Sequence, residues 1–259
     1  MKKYYKIADL IVEMDSFGRT ESQAAPYRIE NSDRPDIVIQ SHWNEVKHKH
    51  PNLSDEDGEY LATGTGFYNQ LLKYNGLRVH SSAVVVDGKA YLFTANCGTG
   101  KSTHTSLWMD LFQENAYIIN DDKPALRLEN GIWYVYGTPW SGKLGINANK
   151  KAVLGGIAIL ERAEQNSIER IKPMDAILPI LRQSTRPKER ESREKVLELL
   201  DNLIGNVPIW KLKCNMDLES AKLSYSAMAG KMGDKHESRK NNCKNYSDNH
   251  ADNADNGCM

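Results

Sequence analysis

Three features of the chain predict an α/β protein with a mixed, twisted β-sheet. "KAYLFTANCGTGKSTHTSLW" passes from an apolar strand through a glycine loop into a helix. Asp87-Gly88 and Asn130-Gly131 each separate two apolar runs, a hairpin signal because Asp, Asn and Gly tolerate positive φ. From Val79 onward, strand-like and helix-like stretches alternate, the pattern of helices packed on a sheet.

Taken in order, "YYKIADLIVEMD" and "PDIVIQ" predict short strands in a smaller β-rich N-terminal region, residues 1–76. Within it Tyr60, Leu61, Phe67, Leu71 and Leu72 recur loosely at helical spacing, with Gly76 as the expected stop. "LRVHSSAVVVDGKAYLFTA" is the first hairpin, and its second strand, Ala90 to Thr94, feeds the glycine loop. Ser102 to Phe112 is a helix, "AYIIN" a strand, and "PALRLENGIWYVYGTP" the second hairpin. "VLGGIAILER" is a buried strand, followed by helices in "KPMDAILPILRQS" and "RESREKVLELLDNLIG", the latter closed by Gly205. "VPIWKLKC" is a strand and "DLESAKLSYSAMAG" a last helix, which completes a nucleotide-binding domain over residues 77–230. From Lys231 the sequence is polar, Asn-rich and nearly free of large apolar residues, which predicts a disordered tail over 231–259.

Bulk properties exclude several classes. The 259 residues carry zero formal net charge, so no basic field points to nucleic acid. No apolar run reaches the roughly 20 residues that cross a bilayer. Asp9, Glu13 and Asp15 interrupt the apolar stretch a signal peptide needs, and the expectation is a cytoplasmic protein. Cys97, Cys214, Cys243 and Cys258 show no paired spacing and read as free thiols.

The glycine loop carries the chemistry. Gly98-Thr99-Gly100-Lys101-Ser102, between strand and helix, lets backbone N–H groups converge on phosphate oxygens with no Cβ in the way. The helix that follows presents its positive end to the same anion. Lys101 reaches the β- and γ-phosphates, and the Ser102 hydroxyl ligates Mg²⁺. Asn96, Cys97 and Thr103 complete the loop. Ala95 stands where the usual phosphate-loop pattern has its first glycine, a small change if that position keeps negative φ. Asp121 and Asp122 end the "AYIINDD" strand only one short helix later. One aspartate holds Mg²⁺ and the other takes a proton from an attacking hydroxyl; Asp122 is grouped with Ser102 as metal ligand, and which of the two acids is the base stays open. His80 opens the strand pair that leads to the loop.

"VHSSA", "NCGTGKSTHT" and "IINDDKP", in that order, resemble the P-loop core shared by HPr kinase/phosphorylase and ATP-dependent phosphoenolpyruvate carboxykinase. The resemblance covers Val79 to Lys123 and extends toward Glu161-Arg162. It implies that Gly98, Gly100, Lys101, Ser102 and Thr103 hold ATP and Mg²⁺ or Mn²⁺, that Asp121 and Asp122 serve metal and proton, and that His80 sits beside the transferring phosphate. It also makes Lys143, in "YGTPWSGK", and Arg162 candidate anion clamps for the substrate. A carboxykinase is far longer and uses a separate lobe for its oxaloacetate, so decarboxylation is not expected. HPr kinases act as hexamers on a small carrier protein; a homo-oligomer is compatible with this chain, whereas no segment identifies a carrier docking site. The expected activity is a kinase that moves the γ-phosphoryl group of ATP to a hydroxyl of a peptide, carrier protein or small metabolite. The alternative is a non-catalytic ATP sensor acting through a partner.

Other features read as structural. His42, His48 and His50 lack carboxylates or cysteines at ligand spacing and read as a solvated basic turn. Tyr136 and Trp140 read as core rather than as a base-stacking platform. Deletion of residues 231–259 is expected to leave melting temperature and nucleotide affinity nearly unchanged, because the tail offers no apolar anchor. Calorimetry on the truncated and full chains checks this, and a large loss of stability would show that the tail packs.

Overall fold

The structure, a computed structural model, describes residues 2–230 except 31 and 33. The expected tail therefore lies outside the described residues.

Strands β1 (Lys3–Ile7), β2 (Leu10–Met14), β3 (Arg28–Ile29) and β4 (Ile37–Ile39) form a small sheet in the order β3-β1-β2-β4. Helices α1 (Gly18–Ala24), α2 (Trp43–Lys49) and α3 (Asp55–Leu71) accompany it. The α3 helix begins at Ser54, whose side chain accepts a hydrogen bond from the Asp57 amide, and Asp55, Glu56 and Asp57 place negative charge at its positive end. Of its expected apolar residues, Tyr60, Phe67 and Leu71 are buried, whereas Leu61 is 40% exposed. Gly76 does not stop this helix. A 3-10 turn continues to Tyr74, and Asn75 takes the left-handed conformation (φ 52°) that ends it. The basic stretch around His42, His48 and His50 is likewise a short exposed helix with histidines at and beyond its ends, not a turn.

The large sheet has nine strands: β5 (Gly76–Arg78), β6 (Ser81–Val86), β7 (Lys89–Thr94), β8 (Ala116–Asn120), β9 (Ala125–Glu129), β10 (Ile132–Tyr136), β11 (Lys151–Arg162), β12 (Ser167–Arg170) and β13 (Ile209–Cys214). Its main path runs β5-β9-β10-β11-β7-β6-β8, with β13 paired to β11 and β12. Both expected hairpins form, with Asp87 and Asn130 at φ 52° and 51°. Every residue of β6 is buried, and alternate side chains enter different cores: Ala83 and Val85 on one face, Val84 and Val86 on the other. A strand covered on both faces has no polar face, which explains its continuous apolar run.

Helices cover both faces. α5 (Pro173–Gln183) and α6 (Arg190–Asn206) pack Ala176, Ile180, Leu199 and Leu203 against Leu92 and Ile157. Gly205 does not close α6; the helix runs through it to Asn206, and extended Val207 follows. On the other face α4 (Lys101–Phe112) and α7 (Leu218–Met228) enclose an aromatic cluster. Fully buried Trp108 lies 5.3 Å from Phe93 and 5.4 Å from Tyr225, ring centre to ring centre, and donates its indole N–H to Ser224 Oγ at 2.9 Å. A third core joins the small sheet and α3 to Ala125, Tyr136 and Trp140 of the large unit. Trp140 stacks on Phe67 at 4.8 Å and is fully buried, which confirms it as a packing residue. No helix among the described residues is long and apolar enough to cross a membrane.

Glu59 of α3 is wholly buried and takes the Thr20 hydroxyl as donor. Burial raises its pKa to about 7, against the smaller opposing pull of that hydrogen bond and of Arg19. An acid raised on folding contributes stability that is complete below its unfolded pKa, about 4.3, and is lost as pH rises through about 7. Glu59→Gln is expected to remove up to about 3 kcal/mol of that decline between about pH 5 and about pH 8. Urea unfolding at both pH values measures it; identical pH slopes in the two proteins would contradict it.

Candidate functional site

Strand direction gathers the site. β11 runs parallel to β7 on one side and to β13 on the other. β8 is antiparallel to β6, which is antiparallel to β7, so β8 also points the same way as β7. The carboxyl ends of β7, β8, β11 and β13, and the start of β6, therefore meet at one edge, the usual place for ligands on such sheets. There lies a cleft of about 1030 Å³. Every residue expected from the sequence except Asn96 lines it: His80, Cys97 to Thr103, Asp121, Asp122, Lys143 and Arg162.

The loop after β7 has the form its residues predict. Gly98 (φ 74°) and Gly100 (φ 116°) hold left-handed backbone, and a Cβ at either would meet nothing within 4 Å. The glycines are thus needed for conformation and leave open space above the loop. Ala95 is absent from the positive-φ residues, so alanine costs nothing there. Asn96 accepts the Thr99 amide on its carbonyl at 3.3 Å, and its side chain takes Gln183 Nε2 at 3.3 Å. Lys101 Nζ donates to the carbonyls of Ala95 and Asn96 at 3.3 and 3.4 Å, long contacts that leave the ammonium incompletely satisfied. Burial lowers its pKa, against the raising pull of Cys97, Asp122 and Asp121. Ser102 and Thr103 are exposed on the first turn of α4.

Asn120 sets the aspartate pair. Fully buried at the end of β8, it accepts the amides of Asp122 (3.0 Å) and Lys123 (2.7 Å) and donates to Thr138 O and Oγ1 at 2.9 and 3.1 Å. This Asx turn sends the two carboxylates into different surroundings. Asp121 stands beside Ser82, Ser102 and Lys101. Its Oδ1 is buried without a hydrogen-bond partner. Burial, with Asp122 adding to it, raises its pKa against the hydroxyls and the lysine. Asp122 is also penalised by burial, yet His80 Nε2 at 3.1 Å and the Lys123 ammonium outweigh that and hold it at about 2. His80 is oriented in turn by Gln183 Oε1, 3.0 Å from Nδ1.

The two expected anion clamps are placed differently. Arg162, at the end of β11, donates to Thr99 O at 3.1 Å and to Gly98 O, so it braces the glycine loop through its carbonyls. Lys143 is exposed at the mouth of the cleft, on the loop after β10. That loop is held from the N-terminal region: Tyr60 Oη accepts the Gly142 amide at 2.9 Å, and Gln23 Nε2 donates to Gly142 O at 2.8 Å. Gly137 admits no side chain, since a Cβ would lie 1.8 Å from Ala148 O. Cys97 is exposed in the glycine loop.

The donor set fits a metal–nucleotide ligand. Among the described residues no group of three or more His, Cys, Asp or Glu could hold a metal alone. Mg²⁺ in phosphate sites needs only one or two carboxylates with the phosphates and water. The unsatisfied Asp121 Oδ1 beside Ser102, under an open glycine cradle, is such a donor set. Sequence reasoning passed over Asn120, Ser82 and Gln183. An Asn just before Asp-Asp-Lys-Pro is an Asx-turn signal and could have been read. Ser82 and Gln183 join the site only through the fold.

Asn120→Ala is expected to cost about 1–3 kcal/mol, because buried amides and the Thr138 carbonyl lose their partner. Urea unfolding gives that number, and wild-type stability would refute the role of the turn.

No protein-family model matches the chain, and no curated protein matches it. Among solved structures, the Hpr(Ser) kinase/phosphatase from Coxiella burnetii matches 60% of this chain and 99% of that one, at 15% identity and a TM-score of 0.37.

Proposed function

We propose that this protein is an ATP-dependent kinase that moves the γ-phosphoryl group to an alcohol. The observation that carries this reading is the meeting, in one cleft, of an open glycine loop with two adjacent carboxylates in different surroundings, Asp121 beside Ser102 and Lys101 and Asp122 against His80. Binding alone needs one metal-holding acid; a second carboxylate next to His80 is the part that transfer to a hydroxyl uses.

Bound ATP·Mg²⁺ supplies the transferable group and neutralises phosphate charge. The amides of residues 98–102 and the Lys101 ammonium hold the phosphates. Ser102 and Asp121 would hold the metal in this reading, since Asp121 is the carboxylate beside Ser102. Asp122, fixed by His80 and Lys123, accepts a hydrogen bond from the incoming hydroxyl. The hydroxyl oxygen forms a bond to the γ-phosphorus while the bond to the β–γ bridging oxygen breaks, and ADP leaves with that electron pair. A carboxylate of pKa about 2 is a weak base toward an alcohol. It suffices here because the proton moves late, once the forming ester has made the oxygen strongly acidic. In this reading residues 77–230 carry the nucleotide machinery, and residues 1–76 brace the loop over the acceptor side.

With γ-labelled ATP, Mg²⁺ and cell extract, wild type is expected to transfer label. Asp122→Asn should slow transfer by about 10²–10⁴-fold while ATP still binds. Lys101→Ala should lose nucleotide binding with the fold intact. Tight ATP binding with no transfer in any extract would replace the kinase with a nucleotide sensor.

A further inference from the structure

A second cavity, of about 420 Å³, lies behind the phosphate cleft. The two share His80 and Asp122, so they adjoin at this pair. The second cavity is strongly cationic. Arg78 from β5, Lys123, Arg182 from the end of α5 and Arg186 line it, and Asp122 is its sole carboxylate. Asp122 is already engaged by His80 and Lys123. Among the described residues none of the three arginines forms an ion pair.

Structural duties do not account for this charge. Arg186 donates to Arg182 O, and a cation at the end of α5 favours the negative end of a helix, which explains one arginine there. Arg78 is different. It donates to Ser184 O at 3.3 Å, while its Nε is buried with no acceptor at all. Nε is closed off from the cavity, so the terminal nitrogens, held only by Ser184 O and by the Tyr68 ring 5.9 Å away, are the donors left for an anion.

We propose that this cavity is the acceptor site and that the acceptor is a small alcohol bearing an anionic group, a carboxylate or a phosphate, gripped by Arg78, Arg182 and Arg186 with its hydroxyl toward Asp122. The inference rests on the kinase reading and names its substrate class. The cavity falls within the size range of small-molecule sites, near its lower end. Guanidinium forks match both carboxylate and phosphate geometry. From this side the hydroxyl reaches the phosphate cleft at His80 and Asp122, where the two cavities adjoin. Its oxygen bonds to the γ-phosphorus, the β–γ bridge bond breaks, ADP departs, and the hydroxyl proton passes to Asp122.

The test separates binding from transfer. Calorimetry is run on protein saturated with a non-hydrolysable ATP analogue and Mg²⁺, so that the phosphate loop is occupied. The probes are glycerate, glycerol 3-phosphate and uncharged glycerol. At least one anion should bind well above glycerol, and which one it is identifies carboxylate or phosphate. In the Arg182→Gln/Arg186→Gln double variant, both positions being exposed, that binding should weaken by about tenfold or more with nucleotide affinity unchanged. Arg78→Gln should do the same, and circular dichroism checks its fold. In the transfer assay, acceptor activity should reside in the small-molecule fraction of extract retained on an anion exchanger. Anions binding no better than glycerol, binding indifferent to the arginines, or acceptor activity confined to the unretained or macromolecular fraction would each overturn the proposal. Arginine-dependent anion binding without any transfer would instead reject the kinase reading and leave the anion site standing.

Discussion

The parallel pairing of β7 with β11, from Val153 beside Lys89 to Ile159 beside Thr94, is the constraint on which the cleft depends. It carries the end of β7, where the glycine loop starts, alongside the end of β11, where Arg162 reaches across to the loop's carbonyls. The register is not uniform: it shifts between Leu154 and Gly156, where Trp210 and Tyr91 pack so closely that neither Gly155 nor Gly156 can carry a Cβ unchanged. An interior glycine pair that weakens a strand in isolation is thus the condition for aromatic side chains to pack against it. The same long strand hands its other edge first to β10 and then to β13. The loop after β10 and the end of β13 reach the cleft for that reason.

A second constraint acts across the site rather than along it. Asp121 and Asp122 are neighbours in sequence, and burial opposes ionisation of both. They diverge because both lie beyond the end of β8, in the Asx turn that Asn120 Oδ1 makes with the amides of Asp122 and Lys123. One meets hydroxyls and a lysine that is itself spread over carbonyl contacts; the other meets His80 and a lysine in direct contact. Two acids whose surroundings push them apart can take separate roles, which a pair of equivalent solvated carboxylates cannot.

Local signals in the sequence were sufficient where a short-range rule decides the structure. Asp87-Gly88 and Asn130-Gly131 turn as expected, and the strand–loop–helix around Gly98 and Lys101 stands where its pattern put it. The misses occur where neighbours in space decide. Gly76 looked like a helix stop, yet its hydrogen is needed because Leu71 and Arg127 close over it, and Asn75 supplies the left-handed turn instead. Gly205 did not end α6, since buried Leu203 and Ile204 carry the helix past it onto the sheet. Strand β12 is mostly exposed and owes its form to the edge of β13, so its own residues give little notice of it. At the site, residue types named the glycine loop and the acids, whereas the different surroundings of Asp121 and Asp122 depend on Ser82, Ser102 and His80 lying near in space.

The N-terminal region shows how the small sheet bears on chemistry it does not contain. Gln23 and Tyr60 hold Gly142, whose Cα side lies close enough to Asp122 that a Cβ would come within 3.3 Å of the aspartate's own. Tyr68, from the same helix as Tyr60, donates to Lys123 O and shares a hydrogen bond with Thr138, which in turn accepts from Asn120. The ring of Tyr60 lies 4.9 Å from the Lys123 ammonium, a favourable cation–π contact. A single face of α3 therefore touches the loop over Asp122, the turn beneath it and the lysine that keeps it ionised. The glycine loop, by contrast, is anchored by Arg162 from β11 and by Gln183 at the end of α5. Gln183 is the link between the two, since it orients His80 beside Asp122 and also holds Asn96 at the start of the glycine loop.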